Sequence, residues 1–344
     1  MLAQRSCVHQ AMRRARALAT TLTPLPKFCR HGTLTERCPI CHADVEASAR
    51  ATPARASSAR ARSHSATATR SGLTVRRELR SEDDGYRSPL APGLRSTQDA
   101  LRLAEEIAFA TGRLAGLAAD PPGLYAEVGA EVDAEQATWL ALLIAYIGPL
   151  EQEEPFAAIE AARCPWGELP ALDETEAGPR GSLEPGRGPD TLAAYSRFAE
   201  RAGSQQLAFI ADPSWSPAQR FERIYERLAV PGLHRRARYD MLVTLQRLGR
   251  YPLAAPALLL TENDAVTLAA KRVFGIGDRL TLERRARELA TAASVPVEAL
   301  DLALENWARP ERITQGFHGE HAQGASFAAA AEASLERAVA ALRC

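Results

Sequence analysis

Lysine is almost absent from this chain: of 42 basic residues only Lys27 and Lys271 are lysines, leaving 40 arginines. Amine nucleophiles are therefore scarce, because a guanidinium stays protonated and forms no Schiff base. Net charge is missing too, since 42 acidic residues balance the 42 basic ones. Global charge thus carries no nucleic-acid or membrane signature. Long hydrophobic runs are also lacking: the most apolar stretch, Trp139 to Leu150, is interrupted by Gly148 and Pro149 and is too short for a bilayer. The segment Met1 to Thr23 is Arg-rich and poor in acids, superficially like a transit peptide, without the continuous apolar core of a secretory signal. Cys7, Cys164 and Cys344 are scattered and form no disulfide framework, which favours a reducing compartment. The expectation is a cytoplasmic protein that does not enter a membrane. A 46% hydrophobic share excludes a wholly disordered chain.

What is present falls into zones. Residues 1–20 read as a disordered N-terminus. Residues 21–42 hold a Cys/His cluster. Residues 43–85 are built mainly from Ala, Arg, Ser and Thr up to Arg80, with almost no large apolar side chains. Such a segment cannot bury enough surface to offset its chain entropy, so it reads as a flexible basic linker. Residues 86–344 read as helices throughout. Apolar residues recur at three- and four-residue spacings over 97–119, 134–147, 155–163, 190–202, 216–229, 233–249, 262–274, 279–292, 297–308 and 325–342. Asp120-Pro121-Pro122-Gly123, Gly148-Pro149, Pro231-Gly232 and Gly249 punctuate them. Strand-like alternation is scarce, so the fold class is all-α. The stretch Cys164 to Pro189, rich in Gly, Pro and acids, reads as a surface excursion or a lid.

Within the first cluster, Cys38-Pro39-Ile40-Cys41 places two thiolates on one tight turn, in the manner of a zinc knuckle. Cys29 and His31 complete four ligands, with His42 an alternative fourth, which predicts a closed structural zinc site.

The most informative part of the large domain is Ala265 to Thr291. A helix ending at Phe274 runs into Gly275-Ile276-Gly277, and a second begins near Asp278 or Arg279. The paired glycines permit a sharp turn and close approach of backbone to a ligand, and the amides of the second helix suit a phosphate. An ordinary helix-connecting turn has the same pattern. After the second helix, Ser294-Val295-Pro296-Val297-Glu298-Ala299-Leu300-Asp301 opens another.

That order resembles helix-hairpin-helix DNA glycosylases, in which a Val-Pro-Val-Asp-like turn carries the catalytic acid. The resemblance places Glu298 at the matching position, with Asp301 one turn further on. A first-turn carboxylate also serves simply to stabilise a helix dipole. Arg279 occupies the place of a nucleophilic lysine in some members, so the resemblance implies water as the attacking group and an intact abasic site as product. Across most of the chain outside the N-terminus and linker, the sequence resembles the alpha-glutamyl/putrescinyl thymine pyrophosphorylase family, clade three. The residues behind this are Thr23 to Gly32 with Cys38-Pro39-Ile40-Cys41, Ser88 to Arg95, Pro231 to Asp240, and Val273 to Asp278.

The resemblance implies an enzyme acting on a modified pyrimidine in DNA, with phage DNA as partner. Excision of the base, as a defence against phage, is the first reading. Replacement of pyrophosphate on hypermodified thymine by an amine such as glutamate or putrescine is the second. A zinc-bearing DNA-binding module without catalysis is the third. Either reaction needs the base out of the stack. Excision assigns Glu298 or Asp301 to stabilising charge on the sugar and orienting water, and Asp240 to the polar edge of the base. Gly275, Gly277, Arg279, His234, Arg235 and Arg238 are assigned to phosphates, and Tyr239 to stacking on the flipped base. A solvated helix face for 234–238 and core packing for Tyr239 are the alternatives.

Overall fold

The computed structural model describes residues 81–343, apart from Glu262 and the side chain of Gln323. These residues all belong to the unit Arg77–Cys344. They form helices and loops, in agreement with the all-α expectation, and no helix among them is long and apolar enough to cross a membrane.

Helix α1 (Thr97–Ala119) is the spine. Ser96 starts it by accepting from the amides of Gln98 and Asp99, satisfying donors that a helix end otherwise leaves orphaned. Two later helices pack along it, α11 (Ala299–Trp307) and α12 (Ala325–Arg343). The α12 approach is close because Gly112 has no side chain: a Cβ there would lie 2.9 Å from the Phe327 carbonyl oxygen. Helix α2 (Leu124–Ala130) leads into α3 (Ala134–Ile147), whose residues from Ala137 onwards are all buried. The most apolar stretch of the sequence is thus a core helix, ended by Gly148 at φ 81°.

Helices α4 (Ala157–Ala162), α5 (Gly188–Ala202), α6 (Gln205–Ile210) and α7 (Pro217–Arg227) follow. Helix α8 (Arg235–Arg247) packs on α3 and also touches α1. Then come α9 (Ala265–Phe274) and α10 (Arg279–Ala292), the two arms of the glycine hairpin, and α9 leans on α11. Ten of these helices coincide closely with the periodic segments. Helices α2 and α6, of 7 and 6 residues, have no counterpart among them, and a short 3₁₀ turn, Gly319–Gln323, precedes α12.

One expectation is corrected. The 164–189 stretch is not solely a surface excursion, for its centre runs inward along the end of α3. Gly178 N donates to Ile147 O (2.9 Å), and Ser182 N and Leu183 N both donate to Tyr146 O (2.7 and 3.0 Å). A Cβ on Gly178 would fall 2.1 Å from Pro149 O, and one on Gly181 2.1 Å from Ile147 O. Between these glycines Arg180 is 2% exposed. Glycine here serves close approach, and the close approach delivers a cation to the interior.

Candidate functional site

The hairpin presents itself at the surface. Gly275 ends α9 at φ 82°, ψ 166°, a region essentially confined to glycine. Ile276 is 97% exposed, and Asp278, Arg279 and Leu280 are exposed as well. Asp278 caps α10 by accepting from Thr281 N at 2.7 Å, and that amide holds the carboxyl below its ordinary range. Arg285 donates to the Phe274 carbonyl and closes the turn from within. An open groove of about 710 Å³ runs beside the hairpin, lined by Leu260, Thr261, Asn263, Lys271, Asp278 and Arg279 among others.

Deeper in the fold lies a cluster of charges around Arg180. Its Nε and Nη2 make a bidentate pair with Asp240 Oδ2 and Oδ1 (2.8 and 2.9 Å). The same guanidinium reaches Asp301 Oδ2 at 2.5 Å and Glu305 Oε2 at 2.6 Å. One arginine from a loop therefore ties α8 to α11. Asp301 Oδ1 lies 2.5 Å from Arg235 Nη2, an ion pair without hydrogen-bond alignment. Glu305 Oε1 receives Arg236 Nη1 at 2.5 Å, with Arg309 at 3.4 Å. Gln315 Nε2 donates to Asp240 Oδ2 at 2.8 Å. Three carboxylates and the guanidiniums of Arg180, Arg235 and Arg236 thus neutralise one another in the interior. Pairing is what makes such burial tolerable.

Protonation follows from this geometry. Burial works against the Asp301 anion, but Arg235 and Arg180 outweigh it and hold its pKa below the ordinary value. Burial equally opposes the Arg180 cation, and Asp240, Glu305 and Asp301 more than reverse that. Asp301 is a fixed anion, suited to stabilising positive charge and ill-suited to taking a proton.

The three acids singled out from the sequence converge. Asp240, Glu298 and Asp301 line one small cavity of about 10 Å³ together with Arg113 and Tyr239. That is the room of a single water. Their accessibility differs: the side chains of Asp301 and Glu298 are 3% and 5% exposed, whereas Asp240 keeps 16%. Glu298, the N-cap of α11, accepts from Gln246 Nε2 (2.9 Å) and Arg247 Nη2 (2.5 Å). Asp240 also borders a second cavity of about 10 Å³ with Tyr125, Arg180 and Gln315.

The proposed phosphate-binding residues separate into two groups. Gly275, Gly277 and Arg279 sit together at the hairpin. The 234–238 run does not join them as a solvated cationic face. His234 is exposed and bonds Glu184 Oε1 at 2.9 Å. Arg235 is buried, stacks over Tyr239 at 4.9 Å and donates to the Leu258 and Leu259 carbonyls. Arg238 is half-buried, donates to Tyr225 O and lies over the Tyr225 ring at 4.4 Å. Tyr239 is 1% exposed, its hydroxyl is committed to Ala257 O at 2.9 Å, and its ring packs edge-on against Phe221, so it belongs to the core. Cys29, His31, Cys38 and Cys41 lie outside the described residues, among which no group of three or more His, Cys, Asp or Glu is arranged to hold a metal.

Arg180, Arg113 and Gln315 escape a sequence reading. Signals did exist: Gly178-Pro179-Arg180-Gly181 brackets a cation with glycines, and Arg113 falls on the apolar face of α1 between Ala110 and Leu114. No family model, no curated protein and no solved structure matches the chain.

Proposed function

We propose that the chain is an enzyme of the helix-hairpin-helix glycosylase type that holds a DNA strand at Gly275–Gly277 and excises an everted, modified pyrimidine. The observation that supports this reading best is the convergence of Asp240, Glu298 and Asp301 on one cavity, with α11 reached through the hairpin helix α10. In it the hairpin amides and Arg279 take the backbone phosphates. The ionised Asp301 stabilises the cationic sugar that forms as the base departs. Asp240, the most accessible of the three, orients the attacking water. The cavity has room for one water and no base, so the reading requires the surrounding loops to part when DNA binds.

One observation favours a binding module without catalysis: each of the three acids already answers at least one arginine. The discriminating experiment incubates the full chain with DNA bearing hypermodified pyrimidines and weighs the products. Free base with abasic sites supports excision. Pyrophosphate release with a new mass on the intact nucleoside moves the assignment to amine transfer, the activity that the resemblance to the thymine pyrophosphorylase family implies. Retention of substrate on a broad panel, with DNA bound, leaves the module. Under excision, Asp240→Asn abolishes turnover and leaves DNA affinity within about twofold, because a residue that orients the attacking water contributes little to holding phosphates.

A further inference from the structure

Apolar side chains stand in water at the glycine hairpin. Leu268 on α9, Ile276 at the turn and Leu280 on α10 are each more than half exposed. Single exposed apolar residues are ordinary, but three on one hairpin mark a surface that a partner covers. The same element is where the charge balance fails. Residues 265–292 carry six basic side chains against three acids, in a chain whose total charge is zero. Two of those acids are already engaged: Glu283 is buried on the Leu258 and Leu260 amides, and Asp278 caps α10. The groove of about 710 Å³ opens beside these features. Buried Leu260 and Leu282 form its floor, Thr261, Asn263 and Arg279 its exposed rim, and Gly277 belongs to both groove and turn.

The partner that fits must be anionic and apolar at once. Intact duplex meets half of this demand, since its phosphates face outward while its base faces are stacked inside. An anionic lipid surface receives Ile276 and Leu280 but fills no groove. A single strand meets both: phosphates for the hairpin amides and Arg279, and unstacked base faces for the leucine and isoleucine side chains. The groove's volume lies within the roughly 300–1,000 Å³ of sites that take small organic groups. Asn263 at its rim carries a side-chain amide, which pairs with a donor or an acceptor on a base edge.

We infer that the groove from Leu260 to Arg279 takes an unpaired nucleotide next to the phosphate held at Gly275–Gly277, so that the chain engages single-stranded or locally unpaired DNA in preference to intact duplex. This deepens the proposed function and rests on its DNA-holding hairpin; a base that starts unpaired also costs less to evert. The test uses the full chain with three probes: a thymidine homo-oligonucleotide, a duplex of the same length, and a strand of abasic sugar-phosphate units. Phosphatidylserine vesicles serve as competitor. The Arg-rich residues 43–80 can hold any phosphate backbone, so the groove is followed by its own signal. The chain has two asparagines, Asn263 and the buried Asn306, and ¹⁵N-asparagine labelling therefore gives two side-chain amide groups, the first identified by its loss in Asn263→Ser. The thymidine strand shifts the Asn263 signal saturably and binds about tenfold or more tightly than duplex at equal salt. The abasic strand, which keeps the phosphates, binds as weakly as duplex. Ile276→Ser, at an exposed site, keeps the melting point, weakens the thymidine strand about tenfold and changes duplex affinity by less than about twofold. Equal affinity for duplex or for the abasic strand, an Asn263 signal that does not move, or displacement of the thymidine strand by the vesicles overturns the inference. Base release with equal affinity for both DNA forms refutes this inference alone. Selective single-strand binding with no base released refutes the excision reading alone.

Discussion

Replacing Arg180 by methionine gives the sharpest test of how the interior is held together. The substitution keeps much of the side-chain volume and removes the charge that serves Asp240, Asp301 and Glu305 together. Asp301 would keep Arg235, and Glu305 would keep Arg236 and Arg309, but Asp240 would be left with Gln315 alone. Stranding a buried carboxylate in this way costs about 3–5 kcal/mol. At roughly 2–4 °C per kcal/mol for a domain of this size, the melting point should fall by about 10 °C. The pH dependence has a definite sign. Asp301 has a lowered pKa in the folded chain, so its pairing contributes stability that is present above the ordinary carboxylate value and is lost as pH falls through the folded value. Arg235 keeps part of that shift in Arg180→Met, and the share Arg180 supplies is lost, so the gap between wild type and variant is widest at neutral pH and narrows below about pH 4. Denaturant titrations at pH 7 and pH 3.5 measure it. The double variant Arg180→Met/Asp240→Asn should recover at least about 1 kcal/mol over the sum of the single changes, since an amide does not need the lost cation. A neutral-pH loss below about 1 kcal/mol, or a gap unchanged at pH 3.5, would show that Arg180 does not organise the cluster.

The other expectations are shorter. Gly181→Ala, which drives a Cβ to 2.1 Å from the Ile147 carbonyl oxygen, should expel the 178–182 segment and reproduce the Arg180→Met destabilisation of about 3 kcal/mol or more in the same denaturant titrations. Arg279→Ala should leave the melting point unchanged, weaken duplex DNA binding and reduce the slope of log affinity against log salt by about one. Gly275→Ala, forced into a region that glycine alone tolerates, should cost about 1–3 kcal/mol in denaturant titration and lower DNA affinity as well. Purified full-length protein should contain one zinc per chain by elemental analysis and lose it in Cys38→Ser; fully folded, zinc-free protein refutes the cluster reading.

The helical frame was legible because its signals are local. Apolar spacing marks α1, α3 and α8 through α12, and capping residues such as Ser96, Asp133, Asp264 and Asp278 stand where the helices begin. Helices of six or seven residues, α2 and α6, span too few turns to display a period. The hairpin was legible for the same local reason, two glycines between a basic helix end and an aspartate cap. The cluster was half legible. Asp240, Glu298 and Asp301 could be picked out as acids near a turn resembling a known one, yet their partner Arg180 sits in a stretch whose Gly, Pro and acid content is that of an exposed loop. Composition reports average solvation and cannot say that one residue of such a loop turns inward. The 234–238 run misled in the opposite direction, because five positions of a helix go round its whole circumference and a string of arginines need not share one face. Arg235 points into the core, Arg238 lies along Tyr225, and His234 remains outside.

The inward loop also bears on how the chain reaches its folded state. Arg180 meets partners 60, 121 and 125 residues downstream, so nothing near it in sequence can satisfy it while the chain is being made. Contacts this distant raise the contact order and slow the closing step. Until α8 and α11 have arrived, the guanidinium and its three carboxylates all remain in water. Loop, α8 and α11 thus depend on one another through this one side chain, and a single cut in the segment that carries Arg180 would be felt as far away as the helix after the hairpin.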